Sequence, residues 1–236
     1  DAMTRFTIPL LLFVLSSPFA KALSGIDDFG DFWGDEDQLT LLDFEWTYIS
    51  GTGRSLLYND TAIKANLKLN PPLVLYGESH AEVGVSVNGY ISTDPGFNGS
   101  DESNTCPFPG EVSFGGGARI AVLHDHLEVD PAGGGIYHQY FPVSPHSWRT
   151  CGVHVIQWEN VRHVGTVGSF DFQVLLFDNF DIVMQYGPGN AEAGSGSTTG
   201  IQNLAASLGE VGAIGLKVAC DFAGGIPENY VLAIQP

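Results

Sequence analysis

Residues 153–186 read VHVIQWENVRHVGTVGSFDFQVLLFDNFDIVMQY and carry the clearest fold signal in the chain. Apolar side chains alternate with other residues around Val155 and again over 170–176, which is the period of a strand with one buried face. The turn residues 178–181 precede a third apolar run at 182–186. The stretch therefore predicts three short strands joined by loops and turns, without a helix between them.

The same signals recur along the rest of the chain. Only 204–209 suggests a helix, and it is one or two turns long. Strands that do not alternate with helices exclude a Rossmann or TIM-type fold, and about ten short strands predict an all-β, two-sheet β-sandwich or jelly-roll-like domain. The further strand candidates are 44–48, 83–87 with the hairpin pair Asn88-Gly89 after it, 120–123, 136–141, 214–218 and 230–234.

Composition limits the classes of function. The chain has 236 residues, of which 44% are hydrophobic, and this favours one large domain with a substantial core. The formal net charge is −18. A surface this acidic argues against a nucleic-acid partner and against docking on anionic lipid, because both need basic side chains.

The first residues read as a targeting segment. Arg5 precedes an apolar run at 6–14, and the small-x-small site Ala20-Lys21-Ala22 follows. This order predicts a secretory signal peptide over 1–22 with cleavage after Ala22, and the run is too short to span a bilayer. An N-terminal core helix is the alternative, but the segment lacks helix caps. The mature protein is expected to be secreted, with no membrane span.

Residues 23–43 form an acidic, Gly-rich lead ahead of the single β-sandwich domain predicted for 44–236. Two interpretations are open for the lead: a Ca²⁺-binding loop, or a flexible acidic linker whose aromatic residues dock on the body. The spacing departs from an EF-hand, which needs a Glu at its twelfth position. The candidate Ca²⁺ ligands are Asp27, Asp28, Asp31, Asp35 and Asp37.

Three cysteines are present: Cys106, Cys151 and Cys220. Export to an oxidising compartment permits a disulfide, and we expect Cys106 to pair with Cys151 across the central strands. Cys220 would then be free or paired between chains. A different pairing, such as Cys151 with Cys220, remains open because connectivity does not follow from sequence alone.

The run His124-Asp125-His126-Leu127-Glu128 is the strongest candidate for chemistry. On a strand, His124, His126 and Glu128 would share one face, and an H-x-H pair can clamp one metal ion, with Asp125 nearby. The alternative is a polar strand end facing solvent, with Asp125 capping a turn. A metal-dependent secreted enzyme is therefore one hypothesis for the chain.

Other site signals are weaker. No G-x-S-x-G elbow and no E-x-D-x-x-E strand motif occurs, which disfavours a serine hydrolase or a polysaccharide hydrolase. Asn59 and Asn98 begin N-glycosylation sequons. Aromatic residues can stack on sugars, and the tryptophans available for this are Trp33, Trp46, Trp148 and Trp158.

Five short motifs between Val85 and Asn203 carry a resemblance. They read VSVNGYIS (85–92), ARIAVLHDHL (118–127), VHVIQWENV (153–161), FDFQVLLFDNFDIVMQY (170–186) and TTGIQN (198–203). Together they resemble the nidogen-type (NIDO-like) extracellular β domain of secreted bacterial proteins. The resemblance implies a secreted, non-catalytic adhesive or structural module. The sequence departs from that pattern at 122–127, where only Asp125 of the usual acids clearly remains.

We therefore expect an adhesive or structural module of the extracellular surface or matrix rather than an enzyme. Its partner would be a protein or a glycan, it could form a homo-oligomer, and Ca²⁺ is the one cofactor expected. The alternatives are a glycan-binding module, which predicts exposed Trp or Tyr on one face, and an H-x-H metalloenzyme, which predicts His124 and His126 converging in a pocket.

Overall fold

The structure is a computed structural model, and it describes residues 24–58, 63–104, 106–113, 116–166, 168–190 and 193–235. The signal peptide predicted for 1–22 lies outside these residues. Over them the chain forms fifteen strands and one short helix: β1 Ser24–Ile26, β2 Phe32–Asp35, β3 Arg54–Tyr58, β4 Lys64–Leu75, β5 Glu78–Ser86, β6 Tyr90–Ser92, β7 Arg119–His124, β8 Leu127–Val129, β9 Gly135–Phe141, β10 Val153–His163, β11 Phe170–Phe177, β12 Ile182–Tyr186, β13 Thr198–Gln202, α1 Leu204–Leu208, β14 Gly215–Cys220 and β15 Tyr230–Gln235.

These strands form two sheets whose paired neighbours are antiparallel. The nine-stranded sheet has the order β1-β2-β15-β12-β11-β10-β9-β3, with β8 pairing to β10 outside this path. The six-stranded sheet has the order β14-β13-β7-β6-β5-β4. The predicted all-β, two-sheet sandwich is confirmed, although it contains more strands than the sequence signals indicated.

Local turn chemistry agrees with the sequence. The pair Asn88-Gly89 connects β5 to β6, as predicted. Gly89 has a φ of 75°, and a Cβ on it would lie 2.0 Å from the Leu123 carbonyl oxygen, so only glycine fits. The predicted helix is also present, because Asn203 caps α1 by accepting a hydrogen bond from the Ala206 amide at 2.9 Å.

The main hydrophobic core lies between the sheets, and two aromatic side chains also join the sheets by hydrogen bonds. Trp158 Nε1, on β10, donates to the carbonyl oxygen of Ser86, on β5, at 2.9 Å. The Tyr186 hydroxyl, on β12, donates to the carbonyl oxygen of Val122, on β7, at 2.7 Å. Each ring thus fills the core while its polar atom finds a partner in the opposite sheet.

A second hydrophobic cluster lies on the outer face of the nine-stranded sheet. It contains Val155, Leu175, Val183 and Val231, and the loop residue Leu42 packs onto it. Strands β10, β11 and β12 therefore bury both of their faces, whereas the alternation around Val155 and over 170–176 predicted one buried face. The outer layer that covers this face comes from chain segments near residues 39–53 and 144–151.

The acidic segment is part of the sandwich. Its strands β1 and β2 form a hairpin, and β2 pairs with β15 in the nine-stranded sheet. Trp33 lies in the main core and is 4% exposed. Residues 24–43 are therefore not a linker outside the β-sandwich domain. Backbone pairing of β2 with β15 and burial of the Trp33 side chain join them to the nine-stranded sheet.

The structure corrects the cysteine pairing. Cys106 is bonded to Cys220, with 6.0 Å between their Cα atoms, and Cys151 is the free thiol among the described residues. Cys220 ends β14 in the six-stranded sheet, where the loop that carries Cys106 also lies. Cys151 packs instead against the outer cluster of the other sheet. The expected Cys106–Cys151 bridge is wrong because the two residues belong to different layers.

Candidate functional site

Residues 43–49 cross the outer face of the nine-stranded sheet in an extended conformation. The alternation in this segment predicted a strand, but no strand is formed here. Two glutamine side chains of the sheet hold the segment: Gln185 accepts a hydrogen bond from the Glu45 amide and Gln157 accepts one from the Ile49 amide, both at 3.1 Å. The segment therefore lies on the sheet as a covering layer.

The two glutamines belong to a row of three. Gln157 is in register with Gln173, and Gln173 with Gln185, so the row crosses β10, β11 and β12. All three side chains are fully buried. The row marks the path of the covering segment, and glutamines inside otherwise apolar strands were the sequence signal for it.

Three aromatic side chains of the covering segment form a surface that we call the aromatic strip: Phe44, Trp46 and Tyr48. Their spacing of two residues places them on the same side of an extended chain. The ring centroids of Phe44 and Trp46 are 6.1 Å apart, and those of Trp46 and Tyr48 are 6.2 Å apart. Tyr48 is 73% exposed, whereas the other two rings are half-buried. The strip presents aromatic surface to solvent on one face of the molecule.

A groove lies on the same outer layer. It has a volume of about 240 Å³ and runs between residues 38–42 and the side chains of Trp148 and Arg149. The covering segment is tied to the loop that carries Trp148, because the Ser147 amide donates to Glu45 Oε2 at 2.7 Å. We call this feature the Trp148 groove. Leu41, at its edge, is 79% exposed.

One buried histidine supports this outer layer. The Gln185 carboxamide accepts from the Glu45 amide through its oxygen, so its nitrogen faces His146 Nε2 at 3.3 Å and donates to it. His146 Nδ1 then carries the proton and lies 3.2 Å from the hydroxyl of Ser144. Burial lowers the pKa of His146, which keeps the ring neutral in this role.

The structure does not assemble the predicted H-x-H metal site. Strand β7 ends at His124 and β8 begins at Leu127, so a turn interrupts the run that we expected to form one strand. His124 is buried, with Nε2 3.1 Å from the carbonyl oxygen of Asp101. His126 is half-exposed and lies 3.0 Å from a carboxylate oxygen of Glu102. The two imidazoles therefore have different surroundings and different partners.

The two acids of that motif, Asp125 and Glu128, also contact other residues instead of the imidazoles of the two histidines. Asp125 Oδ2 lies 3.0 Å from His163 Nδ1, and Glu128 accepts from Arg162 Nε at 2.9 Å. Within the described ranges, no three His, Cys, Asp or Glu side chains are grouped so that they could hold a metal ion. The break at Asp125 agrees with the alternative interpretation, but the strand end does not face solvent, because His124 is buried.

The five acids proposed as Ca²⁺ ligands do not converge either. Asp28 and Asp37 are exposed, and Asp31 is buried at one end of the sandwich. Asp27 Oδ1 accepts three backbone amides of its own turn at 3.0 Å. Asp35 accepts from the Gln38 amide at 3.2 Å. Two of the five carboxylates, those of Asp27 and Asp35, thus bond to backbone amides of their own turns.

A pair of histidines on neighbouring strands was not identified from the sequence. His138, on β9, and His154, on β10, are stacked with 3.0 Å between Nε2 of His138 and Nδ1 of His154. His154 Nε2 donates to the carbonyl oxygen of Pro71 at 3.2 Å, so its Nδ1 must accept from His138. Burial, followed by the charges of His154 and Arg54, lowers the pKa of His138 to about 4. Both rings are neutral and structural.

The sequons differ in what the structure describes. Asn98 is exposed, and its side-chain oxygen accepts from the Ser100 amide at 3.0 Å. Asn59 lies outside the described residues. Of the four tryptophans, Trp33 and Trp158 are buried in the core, whereas Trp46 and Trp148 are partly exposed on the outer layer. The two partly exposed tryptophans thus lie on the same outer layer.

Comparisons with known proteins give one family. The model of a family described as NIDO related matches residues 39–216, which is most of the chain. Neither the curated proteins nor the solved structures that were compared give a match. No helix within the described residues has the length and apolar character needed to cross a membrane.

The matched range contains the parts of the site described above. It includes the aromatic strip, the glutamine row and all but three residues of the Trp148 groove, namely Gln38, Ala233 and Gln235. It also includes the motifs on which the resemblance rested. Domains of the nidogen type are extracellular modules. With a match over this range, the chain belongs to the NIDO-related family.

Proposed function

We propose that this chain is a secreted, non-catalytic adhesive module of the extracellular surface or matrix, which contacts its partner through the outer layer of the nine-stranded sheet. The aromatic strip is the observation that carries the proposal. A ring as large as that of Tyr48, 73% exposed beside two further aromatic rings, is typical of recognition surfaces. The Trp148 groove on the same layer adds a concave feature with an apolar wall.

A protein partner is the first candidate. Interface cores are enriched in Tyr, Trp and Arg, and the outer layer combines Tyr48, Trp148 and Arg149. The formal net charge of −18 disfavours an acidic partner.

A glycan is the second candidate, and the spacing of the aromatic strip favours it. Exposed aromatic rings can stack on the apolar faces of sugar rings, and this strip offers successive rings about 6 Å apart. The charge of the chain then favours a neutral glycan over a sulfated or uronic one.

Replacing Tyr48 with Ala should reduce binding to the partner about tenfold or more, because exposed aromatic anchors dominate such interfaces. Immobilised matrix proteins and neutral polysaccharides serve as probes, and binding is measured by surface plasmon resonance. Phe222→Ala is the matched control, since Phe222 is 60% exposed on another part of the surface. Equal loss in both variants, or no loss in Tyr48→Ala, would contradict the proposal.

Secretion, self-association and Ca²⁺ dependence complete the proposal. The exported chain should begin at Leu23. Among the described residues, β1 is one of the two edge strands of the nine-stranded sheet, and we expect the acids beside it to repel a second copy until cations screen them. N-terminal sequencing and sedimentation, with Ca²⁺ and with a chelator, test this. Retention of 6–14 would refute export, and a monomer at every Ca²⁺ concentration would refute the assembly.

A further inference from the structure

An apolar cavity opens at one end of the sandwich, away from the aromatic strip. Its volume is about 140 Å³. Turns from both sheets surround it: the β1–β2 turn, the β4–β5 turn and the β11–β12 turn. Its aliphatic wall is formed by Val74, Leu75, Ile182, Ile201 and Ile234. The cavity is therefore a space between the sheets that the core side chains leave unfilled.

One carboxylate lines this apolar space. Asp31 is only 3% exposed, and its Oδ1 has no hydrogen-bond partner within the part of the chain that the structure describes. Its backbone is fixed from both sides by Asp27, whose Oδ1 accepts the Asp31 amide at 3.0 Å and whose amide donates to the Asp31 carbonyl oxygen at 3.1 Å. The turn thus holds the carboxyl group at the cavity.

The neighbouring polar groups do not neutralise this carboxylate. Asp27 is itself an acid, and its Oδ2 already accepts the hydroxyl proton of Tyr76 at 2.9 Å. Burial, and then the charge of Asp27, raises the pKa of Asp31 to about 6. At neutral pH the carboxylate is mostly ionised, and no cation among the described residues forms an ion pair with it, which is costly unless a ligand supplies one.

We propose that this cavity binds a primary ammonium group carried on an apolar stem. The ammonium would donate to Asp31, and the stem would lie against the aliphatic wall. Phe29 and Phe180, 50% and 47% exposed, line the mouth beside Tyr76. Phe29 is held edge-on to Tyr76, with 5.4 Å between the ring centroids. An arylalkyl amine matches these aromatic rings, the aliphatic wall and the single buried charge.

The first test uses 2-phenylethylammonium as the probe and isothermal titration calorimetry at pH 7. We expect 2-phenylethanol, which lacks the charge, to bind about tenfold or more weakly, because hydrogen bonds to charged groups are the strong ones. A parallel titration with N-acetyl-lysine amide shows whether the bound ammonium belongs to a lysine side chain or to a free amine. Tighter binding of that probe would assign the ammonium to a lysine of a protein partner, and tighter binding of 2-phenylethylammonium would assign it to a free amine.

The matched variants are Asp31→Asn and Asp28→Asn. Both remove one acid from the same turn, but Asp28 is exposed and does not line the cavity. We expect a loss of affinity for 2-phenylethylammonium of about tenfold or more in Asp31→Asn and little change in Asp28→Asn. Equal affinities in all three proteins would overturn the proposal.

The pH dependence gives a further readout on the unaltered protein. The amine stays charged over this range, whereas Asp31 takes up a proton as the pH falls through about 6. Asp27 and Tyr76 are the other titratable groups that face it, and the remaining walls are apolar. Affinity should fall about tenfold from pH 7 to pH 5.

Nuclear magnetic resonance on the wild-type chain keeps the test independent of variant folding. Adding 2-phenylethylammonium should shift the amide signals of Asp31 and Tyr76 and leave those of the aromatic strip unchanged. Absence of shifts at these residues at millimolar probe, or binding that does not change with pH, would overturn the proposal. Because the cavity and the strip lie apart, failure here leaves the adhesive function standing.

Discussion

Replacing Arg119 with Met should lower the free energy of unfolding by about 3–5 kcal/mol, because it leaves a buried carboxylate without its cation. Arg119 Nη1 lies 2.6 Å from Asp101 Oδ2, and both side chains are at most 2% exposed. The guanidinium also stacks over the ring of Tyr90, with its carbon 4.1 Å from the centroid. Urea unfolding followed by circular dichroism measures the change.

Two variants show whether the lone charge causes this loss. Arg162→Met removes a partly exposed cation that pairs with Glu128, and we expect a loss of at most about 1 kcal/mol. Adding Asp101→Asn to Arg119→Met should restore part of the stability, since a neutral amide is cheaper to bury than a carboxylate. A loss below 1 kcal/mol in Arg119→Met itself would show that Asp101 finds another partner or takes up a proton.

Removing the disulfide should be comparably destabilising. In the double variant Cys106→Ser and Cys220→Ser, we expect a loss of about 2–5 kcal/mol, because the bridge joins residues 114 positions apart and restricts a long loop of the unfolded chain. Cys151→Ser is the control, and its loss should be small because this half-buried thiol forms no bridge. Guanidinium unfolding of the three proteins under oxidising conditions gives the comparison.

Peptide mapping without reduction tests the connectivity directly. It should recover a fragment that contains both Cys106 and Cys220, together with an alkylated Cys151. A fragment linking Cys106 to Cys151 would contradict the structure and would restore the pairing that the sequence suggested.

The strands of the core were predictable because their signals are local. Alternation at Val153–Val155 and the pair Asn88-Gly89 depend only on neighbouring residues, and both are found as expected. The cysteine pairing depends on which loop crosses which sheet, and no local pattern encodes that. The Cys106–Cys220 bridge depends on the position of β14 in the six-stranded sheet, which is a property of the tertiary structure.

The candidate sites show the same limit. The alternation of Phe44, Trp46 and Tyr48 predicted a half-buried strand, and this is wrong because glutamine side chains, rather than a neighbouring strand, bond to the backbone of the segment. For the H-x-H run, the prediction assumed one continuous strand, but the chain turns at residues 125–126. The cavity beside Asp31 is formed by three turns that are far apart in sequence. The sequence therefore could not indicate it, and Asp31 was predicted to bind Ca²⁺ together with its acidic neighbours.

The glutamine row separates the scaffold of this domain from the covering segment that carries the proposed recognition surface. Gln157 and Gln185 accept hydrogen bonds from backbone amides of the covering segment, so these two contacts do not depend on which side chains the segment carries. A substitution at an exposed position such as Tyr48 can then change which partner is bound and leave the strand pairing of the nine-stranded sheet unchanged. The two layers would therefore allow the recognised partner to change on an unchanged scaffold.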